Sequence, residues 1–226
     1  MMKRLARRMG ILPLLLAPAA ACAFVRVGDG WDGPGRNPHV VHYYFGDFAA
    51  LQSTDHAAAK AAFQRAMRAW SEATSGNLTF SEVFEPNQPN TIDIVWIDEP
   101  GHFPDNGVAH SYYAAPPNPE SYAGDIHLNP RRQWAAGDQV ASSAFQIERV
   151  AVHEIGHALG MDHSGISSAV MYGTVQTGEV FSGLSADDIE GICTLYLCSP
   201  RQPNPVPLAL IGLYGIAHAR RCRHRP

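Results

Sequence analysis

The sequence predicts an α+β domain: a twisted mixed sheet packed on a long helix, with a further helix near the C-terminus. Three observations carry that expectation. Elements run in the order strand, helix, several strands, helix, helix. One stretch in the first half repeats apolar residues at helical spacing. A later helical stretch stops at a glycine, which favours a left-handed exit.

Taken in order, residues 24–38 are rich in Gly, Pro and Asp and read as irregular. "HVVHYYF" (His39–Phe45) is β-rich and reads as a strand. Residues Asp55–Thr74 form a helix, with Ala59, Phe63, Met67 and Trp70 as its core stripe and Ser53, Thr54 or Asp55 as its cap. "LTFSEV" (Leu78–Val83) and "TIDIVWI" (Thr91–Ile97) are strands. Ile92, Ile94 and Trp96 share one face of the second, and Thr91, Asp93, Val95 and Ile97 the other. "GVAHSYY" and "GDIHLN" are weaker strands. A second helix is expected from about Ser143 to Leu159, capped by Ser142 or Ser143 and stopped by Gly160. A third is expected from about Ser185 to Leu197, with Ser185 and Asp188 spaced as a capping pair.

A chain of 226 residues, 46% hydrophobic and 17% charged, suits one domain with a sizeable core and appended ends. No period of 20 to 50 residues repeats, which sets a solenoid aside. The net charge of −4 conceals an asymmetry. Nine of seventeen cations lie in the two ends, so residues 24–200 hold eight cations against twenty-one acids, about −13. An acidic body excludes nucleic acid as the expected partner.

Residues 1–23 combine a basic start, the apolar run Ile11–Ala17 and small residues, the layout of a secretory signal peptide. The run is too short to span a bilayer. Cleavage after Ala23 fits an A-x-A rule with Ala21 and leaves Phe24 first. Acylation of Cys22 is the alternative, which Ala19 matches poorly. The expected location is secreted, extracellular or cell-surface. Export permits disulfides among Cys193, Cys198 and Cys222; a Cys193–Cys198 bridge and three free thiols are both open.

The chemistry concentrates in "HEIGHALGMDHS" (His153–Ser164). His153 and His157 are four apart, so on a helix both imidazoles project from one face and can hold two corners of a tetrahedral zinc. Glu154 lies off that line, within reach of a water at the metal. Gly160 lets the chain turn sharply, which returns His163 as a third ligand. Five fixed positions occur together by chance in roughly one sequence of this length in ten thousand.

HExxHxxGxxH resembles the metzincin zinc signature. Met171, eight residues after His163, falls where metzincins carry a methionine beneath the zinc. Ser164 after the third histidine and Tyr172 directly after Met171 resemble the matrixin, or matrix metalloproteinase, family in a bacterial form. The resemblance extends over most of residues 31–196. "LTFSEV" resembles "LTF.EV", "DIVW" resembles "DI.I.F", "GVAHSYY" resembles "LAHAF", "GDIHLN" resembles "GDIHFD", and "LSADDIEGICTLY" resembles "L...DI.GIQ.LYG".

The resemblance implies a metzincin, zincin-like catalytic domain over residues 24–200 and a zinc endopeptidase acting on proteins or peptides, expected to be a monomer. His153, His157 and His163 would hold catalytic zinc, Glu154 would be general base, Gly160 would shape the turn and Met171 would support the floor. Extended substrate would pair with the edge strand Val108–Ser111, so Val108 and Ala109, with Tyr172, are candidate substrate contacts. His110 and His127 fall on two positions of the family's second, structural zinc, while His102 and Asp105 depart from its His-x-Asp spacing. The acids that bind Ca²⁺ read Asn129-Pro130-Arg131-Arg132, so calcium is not expected there. Gly173 stands where the family continues with proline. No "PRCG.PD" motif occurs, so latency by a cysteine switch is not expected. The ammonium of Phe24 would pair with Asp187 or Asp188; alternatively those acids simply favour the third helix's N-terminus. Residues 201–226 join a Pro-rich linker, the apolar Leu208–Ala217 and an arginine cluster. That layout resembles PEP-CTERM sorting tails and would associate with a membrane or cell surface; a disordered or packed tail is the alternative. The rival function is a non-catalytic or single-partner zinc-binding surface module.

Overall fold

The computed structural model describes residues 23–31, 39–104, 107–114, 116–119, 121–198 and a strand at 224–225. In chain order the elements are β1 (Val25–Val27), β2 (His39–Phe45), α1 (His56–Ala73), β3 (Leu78–Glu82), β4 (Thr91–Trp96), β5 (Ala109–Ser111), β6 (Ile126–Leu128), β7 (Trp134–Ala135), β8 (Phe145–Gln146), α2 (Ile147–Ala158), β9 (Met161–Asp162), α3 (Ala186–Leu195) and β10 (His224–Arg225).

Five strands make the main sheet in the order β3-β2-β4-β6-β5. All its pairs are parallel except β5 with β6. The parallel strands β2 and β3 are joined by α1, as parallel pairing requires a crossover. β4 sits in the middle and is buried on both faces, so even Asp93 is only 6% exposed. β5 forms an outer edge and, among the described residues, is the only antiparallel strand of this sheet.

α1 begins as the sequence predicts. Asp55 accepts the backbone N–H of Ala58 at 2.8 Å, and Ala59, Ala62, Phe63, Ala66, Met67 and Trp70 are buried. Full burial of Phe63 and Trp70 stabilises the packing by on the order of 2–3 kcal/mol each. The Trp70 indole also donates to the carbonyl of Val152 at 3.0 Å, tying α1 to α2.

Two expectations are corrected. α2 starts at Ile147, four residues later than expected, with Gln146 as N-cap and no side-chain cap from Ser142 or Ser143. Phe145 and Gln146 are instead drawn into parallel pairing with Trp134 and Ala135. The amide of Gln146 donates to the Gly137 carbonyl, and its oxygen accepts from Phe181 N. Residues 25–27, read as irregular, form a strand antiparallel to β9 and parallel to β10.

α3 has the expected capping box. Ser185 accepts from Asp188 N while the Asp188 carboxylate accepts from Ser185 N. The helix ends at Leu195, where Tyr196 turns extended. Cys193 and Cys198 are bridged. The signal-peptide, Cys22, Cys222, Asp105 and sorting-tail expectations, β10 apart, lie outside the described residues. Among the described residues no helix is long and apolar enough to cross a membrane.

Candidate metal centre

α2 places His153 and His157 one turn apart, facing a cleft of about 410 Å³. Gly160 then leaves the helix at φ +101°, where a Cβ would stand 3.2 Å from the Val27 carbonyl oxygen. Glycine is therefore required for both the turn and the close approach. The turn brings His163 back: Nε2 of His157 lies 3.1 Å from Nε2 of His153 and 3.2 Å from Nε2 of His163.

The donor set fits a zinc ion. Nδ1 of His153 faces the Val170 carbonyl at 2.8 Å, and Nδ1 of His157 faces the Met161 carbonyl at 2.7 Å. A carbonyl only accepts, so each Nδ1 carries the proton and each Nε2 presents a lone pair. Two such acceptors 3.1 Å apart repel unless a cation lies between them. Nitrogens about 2.05 Å from a tetrahedral zinc would stand about 3.3 Å apart, close to what is found. Burial pulls the pKa of His153 down to about 3 and that of His157 to about 4, so both are neutral, as ligands must be.

Glu154 is 7% exposed and lines the same cleft. Burial pushes its carboxyl up to about 7, opposed by a hydrogen bond from Ser111. That range suits a group that accepts and returns a proton near neutrality.

Met171 is fully buried under the helix, against Gly156. Its turn is fixed by α3. Asp188, fully buried, accepts Val170 N at 2.9 Å and Met171 N at 3.0 Å. Asp187 accepts the hydroxyl of Ser164 at 2.6 Å and the backbone N–H groups of Ala23 and Phe24 at 2.9 and 3.1 Å. Both acids thus do more than favour the helix N-terminus.

Val108 and Ala109, the candidate substrate contacts, line the cleft together with Ser111 and Tyr113. Tyr172 is 38% exposed and is not among the lining residues; Gly173, Thr174 and Val175 are. Gly173 is close-packed on the third histidine: a Cβ there would lie 3.2 Å from His163 Nδ1.

A second histidine cluster forms behind β5. Nδ1 of His127 lies 3.0 Å from Nε2 of His102 and 3.1 Å from Nε2 of His110. His102, set apart by spacing in the sequence, therefore joins the other two. Burial lowers the pKa of His110, and that of His127 to about 4. Asp105 lies outside the described residues. The contact of Ser111 with Glu154, the place of His102 beside His127 and the hold of Asp188 on the Met171 turn were not derivable from spacing, because each depends on a partner distant in sequence.

Residues 37–197 match the sequence profile of the family described as Matrixin. The chain belongs to the matrixin family. It is 37% identical over 150 residues to metalloendoproteinase 2-MMP of Arabidopsis thaliana, covering 62% of this chain and 38% of the relative. It is 36% identical over 142 residues to stromelysin-2 of Rattus norvegicus, covering 62% and 28%. It is 33% identical over 164 residues to karilysin of Tannerella forsythia, covering 70% and 32%. The match thus spans less than two-fifths of each relative. The mixed sheet and helices fit a matrixin domain; the family is zinc-dependent, and the described residues include two histidine triads able to hold a metal ion.

Proposed function

We propose that this chain is a zinc endopeptidase that hydrolyses peptide bonds in the cleft beside α2. One observation carries the reading: three imidazole nitrogens converge beside a buried carboxylate, in a cleft bounded by an edge strand. His153, His157 and His163 would hold zinc through Nε2, and bound zinc supplies Lewis acidity. Glu154 accepts a proton from the attacking water and returns it to the leaving amine. The edge of β5 offers backbone groups to an extended peptide, with Val108 and Ala109 alongside. Met171 supports the histidines from below without ligating.

His102, His110 and His127 would hold a second zinc with a structural role. The chain divides into a signal peptide (1–23), the peptidase domain (24–200) and a tail (201–226) that takes the monomeric enzyme to the cell surface. Cleavage after Ala23 would leave the ammonium of Phe24 where its N–H now lies, 3.1 Å from Asp187.

The test is Glu154→Gln in the zinc-loaded chain. Hydrolysis of a quenched peptide library falls by about a hundredfold to ten-thousandfold, while zinc content and melting temperature are retained. Undiminished turnover in this variant would sink the mechanism. A wild type that cleaves no member of the library would favour a binding module instead.

A further inference from the structure

We propose that Ser111 is a positioning residue for Glu154, its hydroxyl holding the carboxylate in the cleft before substrate arrives; this rests on the peptidase reading above. The hydroxyl of Ser111 donates to Oε2 of Glu154 at 2.8 Å, across 43 residues of chain. Among the described residues nothing else hydrogen-bonds this carboxylate. Glu154 is nine-tenths buried, so water does little to replace a missing donor.

The donor is itself well fixed. Ser111 ends β5, opposite Ile126 of β6, and the next N–H, from Tyr112, donates to the Asp125 carbonyl at 3.0 Å. Strand alternation sends neighbouring side chains to opposite faces. His110 accordingly turns toward His127, and Ser111 turns toward α2. The same short strand therefore serves both histidine sites, one from each face.

A glutamate side chain loses rotamer freedom when it is fixed. A hydrogen bond from a fixed strand meets part of that cost before substrate binds. It also divides the two carboxylate oxygens. Oε2 is engaged by Ser111, which leaves Oε1 to take the proton: a water O–H bond breaks, an Oε1–H bond forms, and the hydrogen bond to Oε2 persists.

The experiment uses the full zinc-loaded chain with Ser111→Ala and Ser111→Thr. Ser111→Ala lowers kcat about tenfold with KM within about twofold and zinc content unchanged, and Ser111→Thr restores most of the loss. Unchanged kcat in Ser111→Ala, or a loss that threonine does not restore, would overturn the proposal. A thermal double-mutant cycle with Glu154→Ala reads the contact without activity. Ser111→Ala lowers the melting temperature by about 2–4 °C beside Glu154 and hardly at all beside Ala. Equal shifts in both backgrounds overturn the contact. If Glu154→Gln stays active, the peptidase mechanism falls, while this cycle still decides whether Ser111 holds the carboxylate.

Discussion

Gly156, inside α2, sets two physical effects against each other. Alanine is the better helix former by about 1 kcal/mol, so helix propensity alone predicts that Gly156→Ala stabilises the domain. The surroundings predict the opposite. A Cβ on Gly156 would overlap the Met171 sulfur, with Met171 Cε at 3.0 Å and Trp70 Cζ2 at 3.1 Å. Ordinary non-bonded carbon contacts are about 3.5–4.0 Å. Met171 is fully buried and its backbone is fixed, the N–H bonded to Asp188 and the carbonyl accepting Ser164 N, so only its thioether end can give way. Trp70 is pinned through its indole to Val152. Adding a methyl to such a core costs about 1–3 kcal/mol; the flexible methionine end eases the clash and the Trp70 ring resists it, which puts this site near the middle. The net expectation is a loss of about 1 kcal/mol, or about 2–4 °C in melting temperature. Calorimetry of the zinc-loaded protein measures it, and a competition titration with a chelator should show weaker zinc binding as His153 and His157 shift. A melting temperature above wild type would refute the packing argument and leave helix propensity as the winner.

Three further outcomes are expected. Asp93 is buried with its carboxyl pushed above the ordinary range by desolvation, and one oxygen accepts Asn87 N at 3.0 Å. Its ionisation therefore destabilises the fold at neutral pH, and that penalty fades as pH falls through the raised pKa. Asp93→Asn keeps an acceptor without the charge, so it should raise the melting temperature at pH 7.5 and by less at lower pH; a gain that grows toward acid contradicts this. Replacing Cys193 and Cys198 together by serine opens a loop of sequence separation 5. It should cost about 2 kcal/mol, and thermal melts that coincide with wild type would show the bridge to be without effect. His127→Ala should lower zinc from two ions per chain to one by elemental analysis; a wild type holding one ion removes the second site.

The cluster of His153, His157 and His163 was legible because local geometry builds it. His153 and His157 need only helical spacing, and His163 needs only the turn at Gly160. α1 and the capping box of α3 were legible for the same reason: stripe and caps lie within a few residues of one another. The start of α2 was not. Phe145 and Gln146 pair with residues about ten positions earlier, and that pairing outweighs the nearby serines. β1 was hidden because three residues become a strand only when β9 supplies the partner. His102 looked misplaced because spacing measures distance along the chain, whereas the loop before β5 folds back to bring it within 3.0 Å of His127. Ser111 carried no signal, since a serine in a weak strand is unremarked until Glu154 stands opposite.

Asp187 and Asp188 give the site its tolerance to error. Consecutive helical residues point about 100° apart, so one carboxylate reaches Ser164, beside the third histidine, and the other reaches the Met171 turn. Their own separation is covalent, about 3.8 Å between α-carbons. The spacing between ligand loop and methionine floor is thus measured off a ruler one peptide long. Core side chains can change volume and shift by fractions of an ångström, but that ruler does not stretch. The histidine pocket can therefore keep its dimensions while the sequence around it drifts, and a one-residue insertion or deletion inside α3's first turn would do more harm than many substitutions in the core.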